Sequence, residues 1–157
     1  ASPSFECAQA TSSSIEKLIC SDKKLAELDT KLSATFKEAE AISANKDLLN
    51  LRAMQRGWIK GRNDCWKNED QRQCVVDNYE RRISELQAKY GLVKPDSSFV
   101  YICSDDPKKP VKVTFFSTEI PTAKAQREDQ QSFMYGEATE IGTLFKASQR
   151  KYFNSSR

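Results

Sequence analysis

At Lys94-Pro95-Asp96 the spacing of apolar residues changes from about 3.6 to 2, and no single type of regular element satisfies both sides of that change. Before it, Leu25, Leu28, Leu32, Phe36, Ala39 and Ile42 recur every three or four residues, which lays one stripe along a helix. After it, Phe99, Tyr101 and Cys103 alternate with Val100 and Ile102, and then Val111, Val113 and Phe115 alternate with Lys112 and Thr114. Alternation of that kind puts successive side chains on opposite faces of a strand. The 157 residues amount to about one typical domain or two small ones. The spacing therefore predicts an α+β chain, with helical hairpins over 1–93 and a small antiparallel β unit over 94–157.

Local signals divide each half further. Ser12, Ser13 and Ser14 offer N-caps for a short helix through Ile15, Leu18 and Ile19, and Ser21 or Asp22 caps the long one after it. Ser43 to Lys46 carry a turn signal, with Asn45 available for unusual backbone angles. A third helix runs through Leu48, Leu51, Met54 and Trp58, where Gly57 and Gly61 leave room for another helix to approach. A fourth passes Val75, Tyr79, Ile83, Leu86 and Tyr90, with Arg81 and Arg82 outward or partly paired, and stops at Gly91. In the second half Asp105-Asp106-Pro107 reads as a turn. Further short strands are expected at Thr122–Ala125, Ser132–Tyr135 and Gly142–Lys146, over one aromatic face.

The cysteines bear on compartment. Cys7 with Cys20 and Cys65 with Cys74 fall as two local pairs, and neither is a Cys-x-x-Cys metal motif. Each disulfide would be worth on the order of 3 kcal/mol through loop closure and would imply a periplasmic or secreted address. The competing reading is five reduced thiols in a cytosolic core. The start Ala1-Ser2-Pro3-Ser4, without Met, favours export, as in a chain left after signal-peptide cleavage. With no cysteine at position 1, lipid attachment at that terminus is not expected.

Composition then narrows function. The chain has no histidine, which removes His-based triads, Cys-His dyads and the usual catalytic zinc sites. We expect no enzyme activity, no metal and no cofactor. Charge is balanced in both halves, 16 Lys or Arg against 14 acids up to Lys94 and 9 against 8 after it. Nucleic acid is thus not an expected partner, and no apolar run is long enough to span a membrane.

The helical half carries Leu28-Asp29-x-x-Leu32, Gln55-x-x-Trp58, Arg62-x-Asp64-Cys65 and Cys74-x-x-x-x-Tyr79-x-x-Arg82-Ile83. Asp29 and Asp64 around Arg62 admit two readings: an acid/base carboxylate pair, or a guanidinium forked between carboxylates to lock helices together. Nothing nearby supplies a nucleophile or a phosphate-cradling loop, which favours the second. The order of these residues, with Cys7, Cys20, Cys65 and Cys74, resembles the LprI-type family over roughly Phe5 to Leu86. The resemblance implies an exported helical domain in which lysozyme inhibition recurs.

The second half resembles the MliC type of lysozyme inhibitor in Tyr101-Ile102-Cys103, the strand from Val111 to Phe116, Pro121-Thr122, Ser132-Phe133-Met134-Tyr135 and Tyr152-Phe153. That family implies a small antiparallel barrel whose loop, with a Ser-Gly-x-(Lys/Arg)-Tyr motif, enters the lysozyme cleft and meets its catalytic carboxylates. The best match here is Ile141-Gly142-Thr143-Leu144-Phe145, where Ile141 replaces Ser and Leu144 replaces the basic residue. Lys146 could supply the charge from a shifted position, with Arg150 and Lys151 as further candidates. Alternatively, Leu144 and Phe145 are strand core. The resemblance also implies a cysteine partner for Cys103 that this chain lacks, so the barrel reads as truncated or Cys103 as paired between molecules. An open strand edge would favour a homodimer.

The resulting expectation is a periplasmic or secreted protein that binds lysozyme or a related muramidase. Gly142, Thr143, Lys146, Arg150 and Lys151, in a loop between Glu137 and Lys151, are the expected contact residues. The alternative is an envelope interaction module without inhibitory activity. A carboxylate-based glycan hydrolase would need two acids flanking one cleft.

Overall fold

The computed structural model describes residues 3–9 and 13–147. Four helices come first: α1 (Ser14–Ser21), α2 (Lys23–Ile42), α3 (Asn45–Asn63) and α4 (Gln71–Lys89). Their starts follow from side chains that accept otherwise unpaired backbone N–H groups. Ser13 accepts from Glu16, Asp22 from Lys24 and Leu25, and Asp70 from Gln73. The Asp22 carboxylate also takes the Arg72 guanidinium at 2.6 Å, which ties the start of α2 to that of α4 and holds the Asp22 carboxyl below its ordinary value. Gly91, with φ of 63°, ends α4 in the left-handed region. Asn45 opens α3; Glu128 is the non-glycine residue with positive φ among the described residues.

The expected stripes form the core, with adjustments. Ile15, Ile19, Leu25, Leu32, Leu51, Trp58, Val75, Tyr79, Ile83 and Leu86 are buried together. On α2 the buried face is turned toward Asp29 and Thr35, while Ile42 is exposed. Met54 is also exposed, and a methyl group at Gly57 or Gly61 would touch nothing, so among the described residues no helix closes on that side of α3. Arg82 is buried instead of outward. Disulfides join Cys7 to Cys20 and Cys65 to Cys74, which ties the N-terminal segment to α1 and the end of α3 to α4.

Five strands follow: β1 (Ser97–Cys103), β2 (Asp106–Phe116), β3 (Thr122–Arg127), β4 (Gln130–Thr139) and β5 (Gly142–Ala147). They form one antiparallel meander in the order β1-β2-β3-β4-β5, so β1 and β5 are its edges. The fold is α+β, as the change of period predicts. The first turn is Ser104–Asp105, since Asp106 and Pro107 already belong to β2. Register places Thr114, Phe116, Thr122 and Tyr135 on one face, buried where α4 meets the sheet. The other face carries an edge-to-face aromatic row, Phe99 to Phe115 at 6.1 Å and Phe115 to Phe145 at 5.3 Å. Cys103 is a free thiol.

Candidate partner-binding surface

Two buried polar clusters hold the framework on which any contact surface sits. Arg62, only 3% exposed, lies between the rings of Phe5 and Trp58 and donates to Tyr79 Oη at 3.1 Å. Tyr79 in turn donates to Asp29 Oδ1 at 2.7 Å, so the phenol bridges a cation and a carboxylate that are 3.9 Å apart. Burial, followed by the Asp29 charge working against that of Arg62, pushes the Tyr79 hydroxyl well above its ordinary value, which keeps it a donor. Glu16, 3.5 Å from Arg62, supplies the second acid of the cluster, and Asn63 Oδ1 accepts from the same guanidinium.

Asp64 is not part of this cluster; its exposed carboxylate pairs with Lys67 instead. A residue just past the end of α3 leaves the face that carries Trp58 and Arg62, which is why proximity in sequence misleads here. The carboxylate-pair reading of Asp29 and Asp64 therefore fails, and the locking reading holds with Glu16 in the place of Asp64. Glu16 is missed because its contact lies 46 positions away on another helix.

The second cluster joins the helices to the sheet. Arg82 donates to Gln55 Oε1 at 2.8 Å and to Glu85 Oε1 at 2.7 Å, and Glu85 Oε2 accepts from Tyr135 Oη at 3.0 Å. Ser84 Oγ accepts from the Ile120 N–H at 3.0 Å, and the Arg81 guanidinium stands 5.8 Å over the Tyr135 ring. Arg82, read as outward or partly paired, is thus an internal link between α3, α4 and β4.

The segment from Glu137 to Ala147 is a β-hairpin. Its strands pair Glu137 with Leu144, Ala138 with Thr143 and Thr139 with Gly142, and only Glu140 and Ile141 lie between them. Thr139 Oγ1 braces the tip, donating to the Gly142 carbonyl at 2.6 Å and accepting from the Ile141 N–H at 3.3 Å. The structure brings Gly142 to the tip with φ of 141° and places Thr143 and Lys146 on opposite faces of β5. Lys146 lies 3.2 Å from the Glu137 carboxylate, beside a cleft of about 320 Å³ that Arg81 and Tyr135 also line. Arg150 and Lys151 fall outside the described residues.

Two exposed apolar groups are not among the contact residues expected from the sequence. Ile141 is 99% exposed at the hairpin tip, and Trp66 is 57% exposed in the Cys65–Cys74 loop under the Lys67 ammonium. An apolar residue flanked by Glu140 and Gly142, and a lone Trp in an otherwise polar disulfide loop, are the signals that mark them. Among the described residues no group of acids and cysteines is placed to hold a metal ion, and no helix is long and apolar enough to cross a membrane.

The family model described as "Lysozyme inhibitor LprI" matches residues 6–86. The chain belongs to the lysozyme inhibitor LprI family. The match runs from the first disulfide into α4 and takes in Arg62, Tyr79 and Arg82. Relatives in the family include the Lipoprotein LprI of Mycobacterium bovis and that of Mycobacterium tuberculosis. Each is 25% identical over 132 residues, which is 83% of this chain and 65% of the relative. The chain thus spans slightly under two thirds of the curated relatives it matches. No solved structure matches it.

Proposed function

We propose that this LprI-family chain is an inhibitor that binds a lysozyme or related muramidase outside the cytoplasm, periplasmic or secreted, and blocks its cleft with the β4–β5 hairpin. Family membership supports the partner class, and the observation that carries the mode is the braced tip with Ile141 wholly exposed. A hairpin held by six strand pairs, from Met134–Ala147 to Thr139–Gly142, and a threonine brace loses little conformational freedom on insertion, so more of the contact energy appears as affinity. Muramidases bind an extended polysaccharide in a groove with two carboxyl groups. A narrow hairpin excludes that substrate without chemistry of its own. Gly142 and Thr143 approach with the tip, and Lys146 exchanges Glu137 for a carboxylate in the drier cleft, where the pair is worth more. Arg150 and Lys151, which follow in sequence outside the described residues, are the further basic candidates for contact. Two disulfides suit the oxidising address.

The test is lysis of isolated cell walls by muramidase with micromolar inhibitor. The wild type should suppress lysis, Ile141→Asp should weaken inhibition at least tenfold, and Lys146→Ala should reduce it less and lower its salt dependence. Undiminished lysis by C-type and related muramidases would defeat the proposal.

A second reading is an envelope interaction module without inhibitory activity. It draws on Ile141 and Leu144 standing where the MliC-like motif has Ser and a basic residue, and on Lys146 already being paired. Binding to cell-envelope protein without any loss of muramidase turnover would favour it.

A further inference from the structure

The two edges of the sheet differ. β1 runs Ser-Ser-Phe-Val-Tyr-Ile-Cys, with no charge, Pro or Gly, and Phe99, Val100, Tyr101 and Ile102 are each between 52% and 64% exposed. They occupy both faces, because neighbours on a strand alternate. β5 at the far edge has Lys146 within it and Gly142 at its start. Natural sheets protect edges with charge, Pro, bulges, short length or cover; among the described residues β1 has no charge, Pro or cover on its open side, and the irregularity in its pairing between Tyr101 and Cys103 puts the extra residues in β2. We propose that β1 is a homodimerisation strand, pairing antiparallel with β1 of a second copy about a two-fold axis at Val100. This surface is distinct from the hairpin and does not depend on its function.

The register follows from parity and overlap. Outward-pointing N–H and C=O groups recur at every second residue, so an antiparallel self-pair must set residues of the same parity opposite each other. With the axis at Val100, Phe99 faces Tyr101 of the second copy, Ser98 faces its Ile102 and Ser97 faces its Cys103, so all seven residues of β1 are paired. Moving the axis to Tyr101 or to Phe99 leaves two of the seven residues of β1 without a partner on the second copy, and the Phe99 axis also sets Ile102 against its Asp96. Lost ladder pairs and an acid opposite an apolar side chain penalise the alternatives. The Val100 register also continues the row Phe145–Phe115–Phe99 into Tyr101 of the second copy. The same patch meets itself across the axis, so the contact closes at two copies instead of growing into a fibre.

This register has a consequence for Cys103. It stands opposite Ser97 of the second copy, so the two thiols are about 20 Å apart at strand rise and do not form the intermolecular disulfide. Val100, on the axis, meets its own copy at about 5 Å, within disulfide reach.

Sedimentation of the full chain under reducing conditions tests the pairing. The wild type and Cys103→Ser should show the same concentration-dependent dimer. Val100→Lys should weaken it at least tenfold, with helicity retained by circular dichroism, and Leu144→Lys at the other edge should leave it unchanged. Val100→Cys in a Cys103→Ser background should oxidise to a covalent dimer faster than Phe99→Cys. A monomer up to millimolar concentration overturns the proposal, and so does a dimer sensitive to Leu144→Lys but not Val100→Lys. Protected amides over 97–103 in a strict monomer would show the edge covered by the chain itself and would overturn it equally. Faster cross-linking of Phe99→Cys than of Val100→Cys would overturn the register.

Discussion

The helical half hides its specific residues, and the sheet half displays them. Arg62, Asp29, Tyr79, Trp58 and Arg82 are all buried; Tyr79 joins Arg62 to Asp29, Trp58 donates to the Asn78 carbonyl, and Arg82 donates to Gln55 and Glu85. In the sheet, Phe99 to Ile102 and Ile141 face outward. The family model matches 6–86, the buried set, so the features that identify the chain are features of its packing. The contrast separates membership from contact: a scaffold can be recognised across distant relatives while the surface it carries is free to vary in partner and affinity.

The largest expected effect breaks the buried side of this comparison. Arg62→Ala leaves the Asp29 carboxylate buried, with its cation gone and the Tyr79 hydroxyl as its remaining side-chain donor. We expect a loss of about 3–5 kcal/mol, since breaking a buried pair strands the surviving charge. Urea unfolding followed by Trp fluorescence measures it. A loss below about 1 kcal/mol would mean that the cluster is wet and that the distinction between the halves is weaker than burial implies. The matching change on the sheet is Gly136→Ala. A Cβ there would sit 2.6 Å from Thr143 Cγ2 and 3.0 Å from the Pro121 side chain, and the Gly136 N–H already donates to the Pro121 carbonyl at 2.7 Å. Overpacking of this kind costs about 1–3 kcal/mol. The cost should fall on the β4–β5 hairpin, read as faster amide exchange over Thr143–Ala147 with α2 and α4 unaffected. Uniform loss across both halves would show that they unfold as one unit.

These particulars also show what is legible in the sequence. Helix positions are readable because Ser13, Asp22 and Gly91 act locally, and the strands because alternation does. The disulfides pair neighbours in sequence. What escapes depends on distance. Glu16 reaches Arg62, and Glu85 reaches Tyr135, across elements whose packing angle no local pattern encodes. Lys146 reads as a free cation because its partner Glu137 is set by hairpin register, and the expected loop is a hairpin because Thr139 and Gly142 close it. Ile141 reads as a missing serine, although an apolar tip on a braced turn is itself a contact group.

The smallest expected effect sharpens the seam between the halves. Glu80 on α4 faces Glu119, in the β2–β3 connection, with Lys24 of α2 and Asp77 of α4 as the other charges near it. Burial, then the Glu119 charge, outweighs Lys24 and holds the Glu80 carboxyl above its ordinary value of 4.5; a hydrogen bond to Glu119 adds to this. The folded chain therefore keeps this proton more readily than the unfolded chain does. The stabilisation is complete below pH 4.5 and is lost as pH rises through the raised folded value. Glu80→Gln keeps a donor for Glu119 and cannot ionise. It should match the wild type in acid and exceed it near neutrality, by less than the ~1 kcal/mol typical of solvent-screened pairs. Urea midpoints on both sides of that window measure it. A difference that stays constant across the window would mean the seam does not titrate, leaving Tyr135–Glu85 and Ile120–Ser84 as the contacts that set how firmly the sheet is held.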